Sequence, residues 1–145
     1  MIKSAILYYS NSGNTKSLVE EFSKNNSKFD VFNLKKQTNL SIIENYDTII
    51  IGTPTLGNGI PPAYFSKNAS ELKKYLCNKN IGLFGSGNSI YPYYCGALDV
   101  LWEWLKNDNN MLFKFQFESY PTNKAIKDFT DLLNNIKEDG LNVNC

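Results

Sequence analysis

Two hydrophobic periods, alternating in blocks, account for most of this chain. Ile2–Tyr9 is a largely apolar run and predicts a first strand. Leu18, Val19 and Phe22 fall at helical spacing and predict a helix over Thr15–Lys24. Phe29–Leu34 reads as a second, more polar strand. Thr48–Gly52 (T-I-I-I-G) is apolar without alternation, the pattern of a strand buried on both faces. Phe65, Ala69, Leu72 and Leu76 predict one helix over Tyr64–Leu76, and Asn80–Gly85 a fourth strand. Leu98, Leu101, Trp102 and Leu105 mark a further helix. Leu112–Phe117 alternates, with Phe113, Phe115 and Phe117 on one side and Lys114 and Gln116 on the other, as a half-exposed edge strand would. Ala125–Ile136 closes the pattern as a helix with Ile126, Phe129, Leu132, Leu133 and Ile136 inward.

Strand and helix alternating throughout predict an α/β fold: a doubly wound, five-stranded parallel sheet with helices on both faces. Right-handed crossovers leave few strand orders open. No linker, repeat or low-complexity block divides the chain, so a single domain over residues 1–145 is expected. In such sheets a ligand sits beyond the carboxyl ends of the strands, where the winding reverses. Chemistry is therefore sought in the loops after strands one, three and four.

Composition mainly excludes. With 42% hydrophobic and 14% aromatic residues, a packed core is expected. A net charge of +1 gives no bulk attraction to nucleic acid or a membrane surface. No apolar run approaches ~18 residues, and the N-terminus reads directly as strand, without a targeting signal. Cys77, Cys95 and Cys145 lack metal-ligand spacing and are expected to be free thiols in a reducing cytoplasm. There is no histidine, and all 15 basic residues are lysine. Ser-His-Asp and Cys-His chemistry are thereby excluded, no metal site is expected, and bidentate arginine recognition of phosphate is unavailable. Any bound phosphate must be held by backbone amides, hydroxyls or lysine.

The first loop, Ser10-Asn11-Ser12-Gly13-Asn14-Thr15, offers hydroxyls, amides and a glycine where a helix begins. The first N–H groups of that helix lack partners and its dipole favours an anion, so the loop reads as a phosphate cradle. An ordinary N-cap would need one such residue, and this loop has six. The second loop, Thr53 to Pro62 (T-P-T-L-G-N-G-I-P-P), has strong turn chemistry at Leu56-Gly57-Asn58-Gly59. A glycine peptide there can flip at small cost, presenting either its N–H or its C=O. The third, Gly85 to Asp99, contains Ser86, Gly87 and Asn88 ahead of Tyr91, Tyr93 and Tyr94, rings able to stack on a flat ligand. The same tyrosines could equally cover the core rim. G-S-G-N-S-I is no dinucleotide fingerprint, because Ile90 takes the place of the last glycine. Together these loops suit a flat aromatic ring with a phosphate tail.

These residues resemble the short-chain flavodoxins. Ser10–Thr15 matches the family's S-x-S/T-G-N-T phosphate loop, and F-G-S-G-N-S-I-Y-P-Y-Y-C-G-A-L-D looks like its F-G-x-G-D-x-x-Y-x-x-F-C-G-A-x-D. The resemblance extends over nearly the whole chain. It implies the strand order 2-1-3-4-5, which comes with the flavodoxin fold and not from periodicity. It also implies FMN as cofactor, with Ser10–Thr15 on the phosphate. Thr53, Pro54, Thr55 and Leu56 would lie along the ribityl chain and one ring face, and Gly57, Asn58 and Gly59 at the flavin N5. Tyr91, with Tyr93 and Tyr94 nearby, would cover the other face. Asn88 and Cys95 would help hold the pyrimidine edge through backbone groups, and Ser86 and Gly87 would be cofactor-binding residues of the same loop.

The implied activity is electron transfer between a reductase donor and an acceptor enzyme, cycling between semiquinone and hydroquinone, by a cytoplasmic monomer with no substrate site. A flavodoxin-like activator of manganese-dependent ribonucleotide reductase shares the phosphate loop and stays open as an alternative. The departures concern charge. The family commonly has tryptophan where Leu56 stands and aspartate where Asn58 and Asn88 stand. No charged residue falls within 10–15, 53–62 or 85–98. A carboxylate ~10 Å from a flavin anion, at an effective dielectric of ~20, is worth roughly 70 mV for one electron. Its lack implies a less negative second reduction step.

Overall fold

The computed structural model describes residues 3–56, 59–87 and 96–136. Within them run β1 (Ser4–Tyr8), α1 (Asn14–Ser23), β2 (Phe29–Asn33), a 3-10 helix (Leu40–Asn45) and β3 (Thr48–Pro54). There follow α2 (Ala63–Lys67), α3 (Ala69–Tyr75), β4 (Asn80–Gly87), α4 (Gly96–Leu105), β5 (Asn110–Glu118) and α5 (Asn123–Asn134). All strand pairings are parallel, in the order β2-β1-β3-β4-β5. The expected sheet is thus present, with β5 at one edge.

The core divides by strand parity. Ile6, Ile50 and Phe84 point to one side, where Leu18, Val19 and Phe22 of α1 and Phe129 and Leu133 of α5 cover them. Ala5, Leu7, Ile49, Ile51, Ile81 and Leu83 point to the other. There Leu72 of α3, Leu98, Leu101 and Leu105 of α4, and Leu40 and Ile43 of the 3-10 helix pack against them. β3 is buried along its whole length, as its unbroken apolar run requires. On β5 only Phe117 is fully buried; Phe113 and Phe115 are half-covered against the α1–α5 side.

Several expectations need correction. β3 and β4 run past the predicted ends, so Thr53, Pro54 and Ser86, paired between β3 and β4, and Gly87, paired with β5, are strand residues rather than loop. The helix predicted over Tyr64–Leu76 is two, broken at Asn68, whose φ of −109° and ψ of 18° leave the helical region. The Asn68 side chain donates to the Tyr64 carbonyl at 2.8 Å, a local bond that competes with regular helix. Trp102 and Trp104 of α4 are partly buried against the core, with Lys114 over the Trp102 ring at 5.1 Å and Lys73 over Trp104 at 5.8 Å. Cys77 is disulfide-bonded, so the expectation of three free thiols fails there. Among the described residues no helix is long and apolar enough to cross a membrane.

One contact gives the fold an alkaline limit. Tyr46 is nearly buried and its hydroxyl donates to Asp30 Oδ2 at 2.6 Å. Burial, then the hydrogen bond to Asp30, then that carboxylate's charge push its pKa from the ordinary 10.0 to about 12. The folded state therefore holds this proton more tightly than the unfolded chain. The contribution is complete below pH 10.0 and is lost as pH rises towards about 12. Urea unfolding at both ends of that window should show wild-type stability falling more steeply than that of Tyr46→Phe. Parallel falls would show that Tyr46 is not responsible.

Candidate functional site

At the carboxyl edge of the sheet, four strands end around one cavity of about 190 Å³. Its walls come from the β1–α1 loop (Ser12), the start of α1 (Asn14), the end of β3 and after (Pro54, Thr55), the end of β4 (Ser86, Gly87), and Ser119 after β5. No lining residue is charged. The nearest ion pair on α1, Lys16–Glu20 at 3.7 Å, points into solvent.

The β1–α1 loop is shaped as a cradle. Gly13, the N-cap, has φ +92°, a conformation few other residues adopt. Gly13 itself supplies no side-chain hydrogen bond to the first turn. Ser10 braces the loop instead: its Oγ accepts the Gly13 N–H at 3.2 Å and the Lys16 N–H at 3.4 Å. Thr15 is fully buried, and its Oγ1 lies 3.2 Å from Ser86 Oγ, tying the cradle to β4. Asn11 is exposed, and Ser12 is exposed at the cavity mouth.

The loop after β3 is a closed turn. The Gly59 N–H donates to the Leu56 carbonyl at 2.8 Å, and the Leu56 N–H to the Ile60 carbonyl at 2.9 Å. At 36% exposure, Leu56 presents an apolar side chain to whatever approaches this edge. Thr55 reaches across to cap α4, its Oγ1 accepting the Ala97 N–H at 3.2 Å. A phosphate with a polyhydroxyl chain fits such a site: a glycine-capped helix N-terminus, neutral hydroxyls, and an apolar residue at the rim.

A model of the flavodoxin family matches residues 6–117, from β1 to the end of β5. The chain belongs to the flavodoxin family. It is 34% identical to the flavodoxin of Maridesulfovibrio salexigens over 118 residues, which cover 73% of this chain and 77% of that one. Against probable flavodoxin 2 of Bacillus subtilis the figures are 29% over 106 residues, 70% of each chain. Among solved structures, oxidised flavodoxin 1 of Bacillus cereus superposes with a TM-score of 0.77 at 25% identity, covering 93% of this chain and 99% of that one. The flavodoxin of Fusobacterium nucleatum, solved with flavin mononucleotide bound, superposes with a TM-score of 0.72 at 23% identity, covering 92% and 96%. Flavodoxins are electron carriers rather than enzymes.

Against this flavodoxin fold the expected site residues sort as follows. Ser12, Asn14, Pro54, Thr55, Ser86 and Gly87 meet at the cavity, with Ser10, Gly13 and Thr15 shaping it. Leu56 and Gly59 form the neighbouring turn. Thr53 does not line it: it is fully buried, with its hydroxyl donating to the Pro54 carbonyl at 2.9 Å. Gly57, Asn58, Asn88, Tyr91, Tyr93, Tyr94 and Cys95 lie outside the described residues. Ser119 was not anticipated. Its φ of 53° and the bond from its N–H to the Gly87 carbonyl at 2.9 Å turn the chain back over the cavity. The signal was available, since the loop after the fifth strand also opens on the carboxyl edge.

Proposed function

We propose that this flavodoxin is a single-domain, monomeric FMN protein of the cytoplasm. It takes electrons singly from a reductase and passes them to an acceptor enzyme, cycling between semiquinone and hydroquinone. FMN supplies the one-electron chemistry; the chain binds it, orients it and sets its electrostatics. The observation that carries the reading is the uncharged cavity of about 190 Å³ at the N-terminus of α1, bordered by four strand ends.

In this reading the amides of the first turn of α1, with the Ser12 and Asn14 side chains, hold the phosphate. Thr55, Ser86 and Ser119 face the ribityl hydroxyls. Leu56 covers part of one ring face and Tyr91 the other, with Tyr93, Tyr94 and Cys95 completing that loop. The Gly57 carbonyl would accept a hydrogen bond from the flavin N5–H after a peptide flip that glycine permits, with Asn58 and Gly59 following it in the same loop. Asn58 and Asn88 leave the ring edge without a carboxylate, so the second electron meets less repulsion than beside aspartates.

Titration settles the question. Added FMN should lose its fluorescence at one equivalent per chain, and the complex should be yellow. Partial reduction should give a long-lived blue species. A colourless protein that fails to quench FMN would end this reading.

A further inference from the structure

A larger opening lies on the same edge of the sheet and shares no lining residue with the cavity at α1. It is a groove of about 470 Å³ beyond the ends of β1 and β2. Tyr9 directly follows β1, and the Leu34 N–H after β2 donates to the Tyr8 carbonyl at 2.8 Å, so both stand at the carboxyl edge. Leu34 and Leu40 are the buried part of its lining. Tyr9 and Tyr64, half-buried, add two neighbouring rings with centroids 5.4 Å apart and planes 30° from parallel.

The polar groups of this groove are of two kinds. The first is cationic. Lys35 lies over the Tyr9 ring, its Nζ 5.1 Å from the centroid, which keeps the ammonium at the groove. Among the described residues neither Lys35 nor Lys36 has an ion-pair partner, whereas Lys16, Lys24, Lys124 and Lys127 each pair with a carboxylate no more than a helical turn away. No acid lines the groove; Glu71 acts on Tyr64 through its charge from outside the lining. The second kind is a pair of amides. Gln37 and Asn68 donate through their side-chain nitrogens to the Asn39 and Tyr64 carbonyls, at 3.0 and 2.8 Å. Among the described residues nothing donates to their side-chain oxygens, which remain as acceptors.

We propose that this groove docks an extended, acidic segment of a partner protein. A carboxylate of that segment meets Lys35 and Lys36, its backbone N–H groups donate to the Gln37 and Asn68 side chains, and an apolar side chain lies against Tyr9 and Tyr64. A small free anion would use only the first of these three features. The inference goes beyond the flavin reading and does not depend on it. Tyr9 immediately precedes Ser10, so a partner seated here stands beside the β1–α1 loop.

The probe is a blocked peptide of alternating glutamate and phenylalanine, titrated into the full chain with FMN added and followed by amide NMR. The amides of Lys35, Gln37, Thr38 and Asn68 should shift. Lys35→Glu should weaken the peptide about tenfold, as expected when an exposed attraction becomes a repulsion. Lys28→Glu, which reverses an exposed lysine before β2 at the opposite edge of the sheet, should stay within about twofold of wild type. Both lysines are exposed, so neither change threatens the fold. Raised salt should weaken the wild-type complex and leave Lys35→Glu nearly unaffected. Absence of shifts at these amides, equal binding of a lysine–phenylalanine peptide, or undiminished binding by Lys35→Glu overturns the proposal. Inorganic phosphate that shifts the same amides at equal affinity would make this a small-anion site, and a dimer that Lys35→Glu dissolves would make the occupant a second copy of the chain; either result overturns it too. A chain that takes no FMN yet binds the peptide in this way overturns the flavin reading alone.

Discussion

Ser12→Asp is expected to abolish most of the FMN affinity while leaving the fold as stable as before, or slightly more so. Ser12 is exposed at the cavity mouth, just ahead of the Gly13 N-cap of α1. A carboxylate there meets the positive end of the helix dipole, worth about 0.3–1 kcal/mol to the apoprotein. Beside a bound phosphate monoester of charge about −1.5 to −2 the same carboxylate is repelled. At ~5 Å and an effective dielectric of ~20, that repulsion is roughly 3 kcal/mol per unit of charge, more than about 100-fold in affinity. The variant thus moves folding and binding in opposite directions, which a general loss of structure cannot do. Riboflavin, which lacks the phosphate, should bind wild type and Ser12→Asp equally, and Ser12→Asn should stay close to wild type for FMN. Fluorescence titration with both ligands is sufficient. Undiminished FMN binding by Ser12→Asp would mean that the phosphate is not held at α1.

How much of this was legible in the sequence varied with the physical origin of each feature. The sheet was, because β1 and β3 are apolar runs and β5 alternates, and because α1 and α5 keep helical spacing over several turns. The strand order came through family resemblance; periodicity does not encode which strands are neighbours. Strand ends were read short. Thr53, Pro54, Ser86 and Gly87 look like loop by composition, yet the β3–β4 ladder runs on through Thr53, Pro54 and Ser86, and Gly87 pairs with Glu118 of β5. Parallel neighbours extended the ladder past the point where local propensity gives out.

That error had consequences at the site. Thr53, taken for a ligand-facing loop residue, sits on a strand with its side chain buried. Ser86, on the adjoining strand, meets Thr15 from the cradle. Ser119 escaped because only the loops after strands one, three and four were read as site loops, although β5 ends on the same edge. The break at Asn68 depends on a side chain finding the carbonyl four residues back, which apolar periodicity cannot report. The expectation of a phosphate cradle rested on a density of small polar residues at a strand–helix junction, which has a direct physical meaning.

The opposite pattern is expected at the base of α1. Phe129→Ala should cost about 3–5 kcal/mol of stability and leave FMN binding nearly unchanged. Phe129 is fully buried on α5, its ring 4.8 Å from Phe84 and 5.6 Å from both Phe22 and Phe115. It thereby joins α5, α1, β4 and β5, and neither deleting it nor relaxing around it fills the space that three rings enclose. For a chain of this size the loss corresponds to a fall in Tm of roughly 10 °C. FMN should raise the melting point of wild type and variant by the same free-energy increment, since that increment depends only on ligand concentration and affinity. Phe22 lies in the last turn of α1 and Asn14 in the first, about 12 Å apart along the helix. Loosened packing at one end therefore leaves the N–H groups at the other in place. Thermal melts of apoprotein and FMN-saturated protein test both parts. If Phe129→Ala instead lost FMN as Ser12→Asp does, the cradle would be held in shape by the α1–α5 core rather than by Ser10, Gly13 and the Thr15–Ser86 contact.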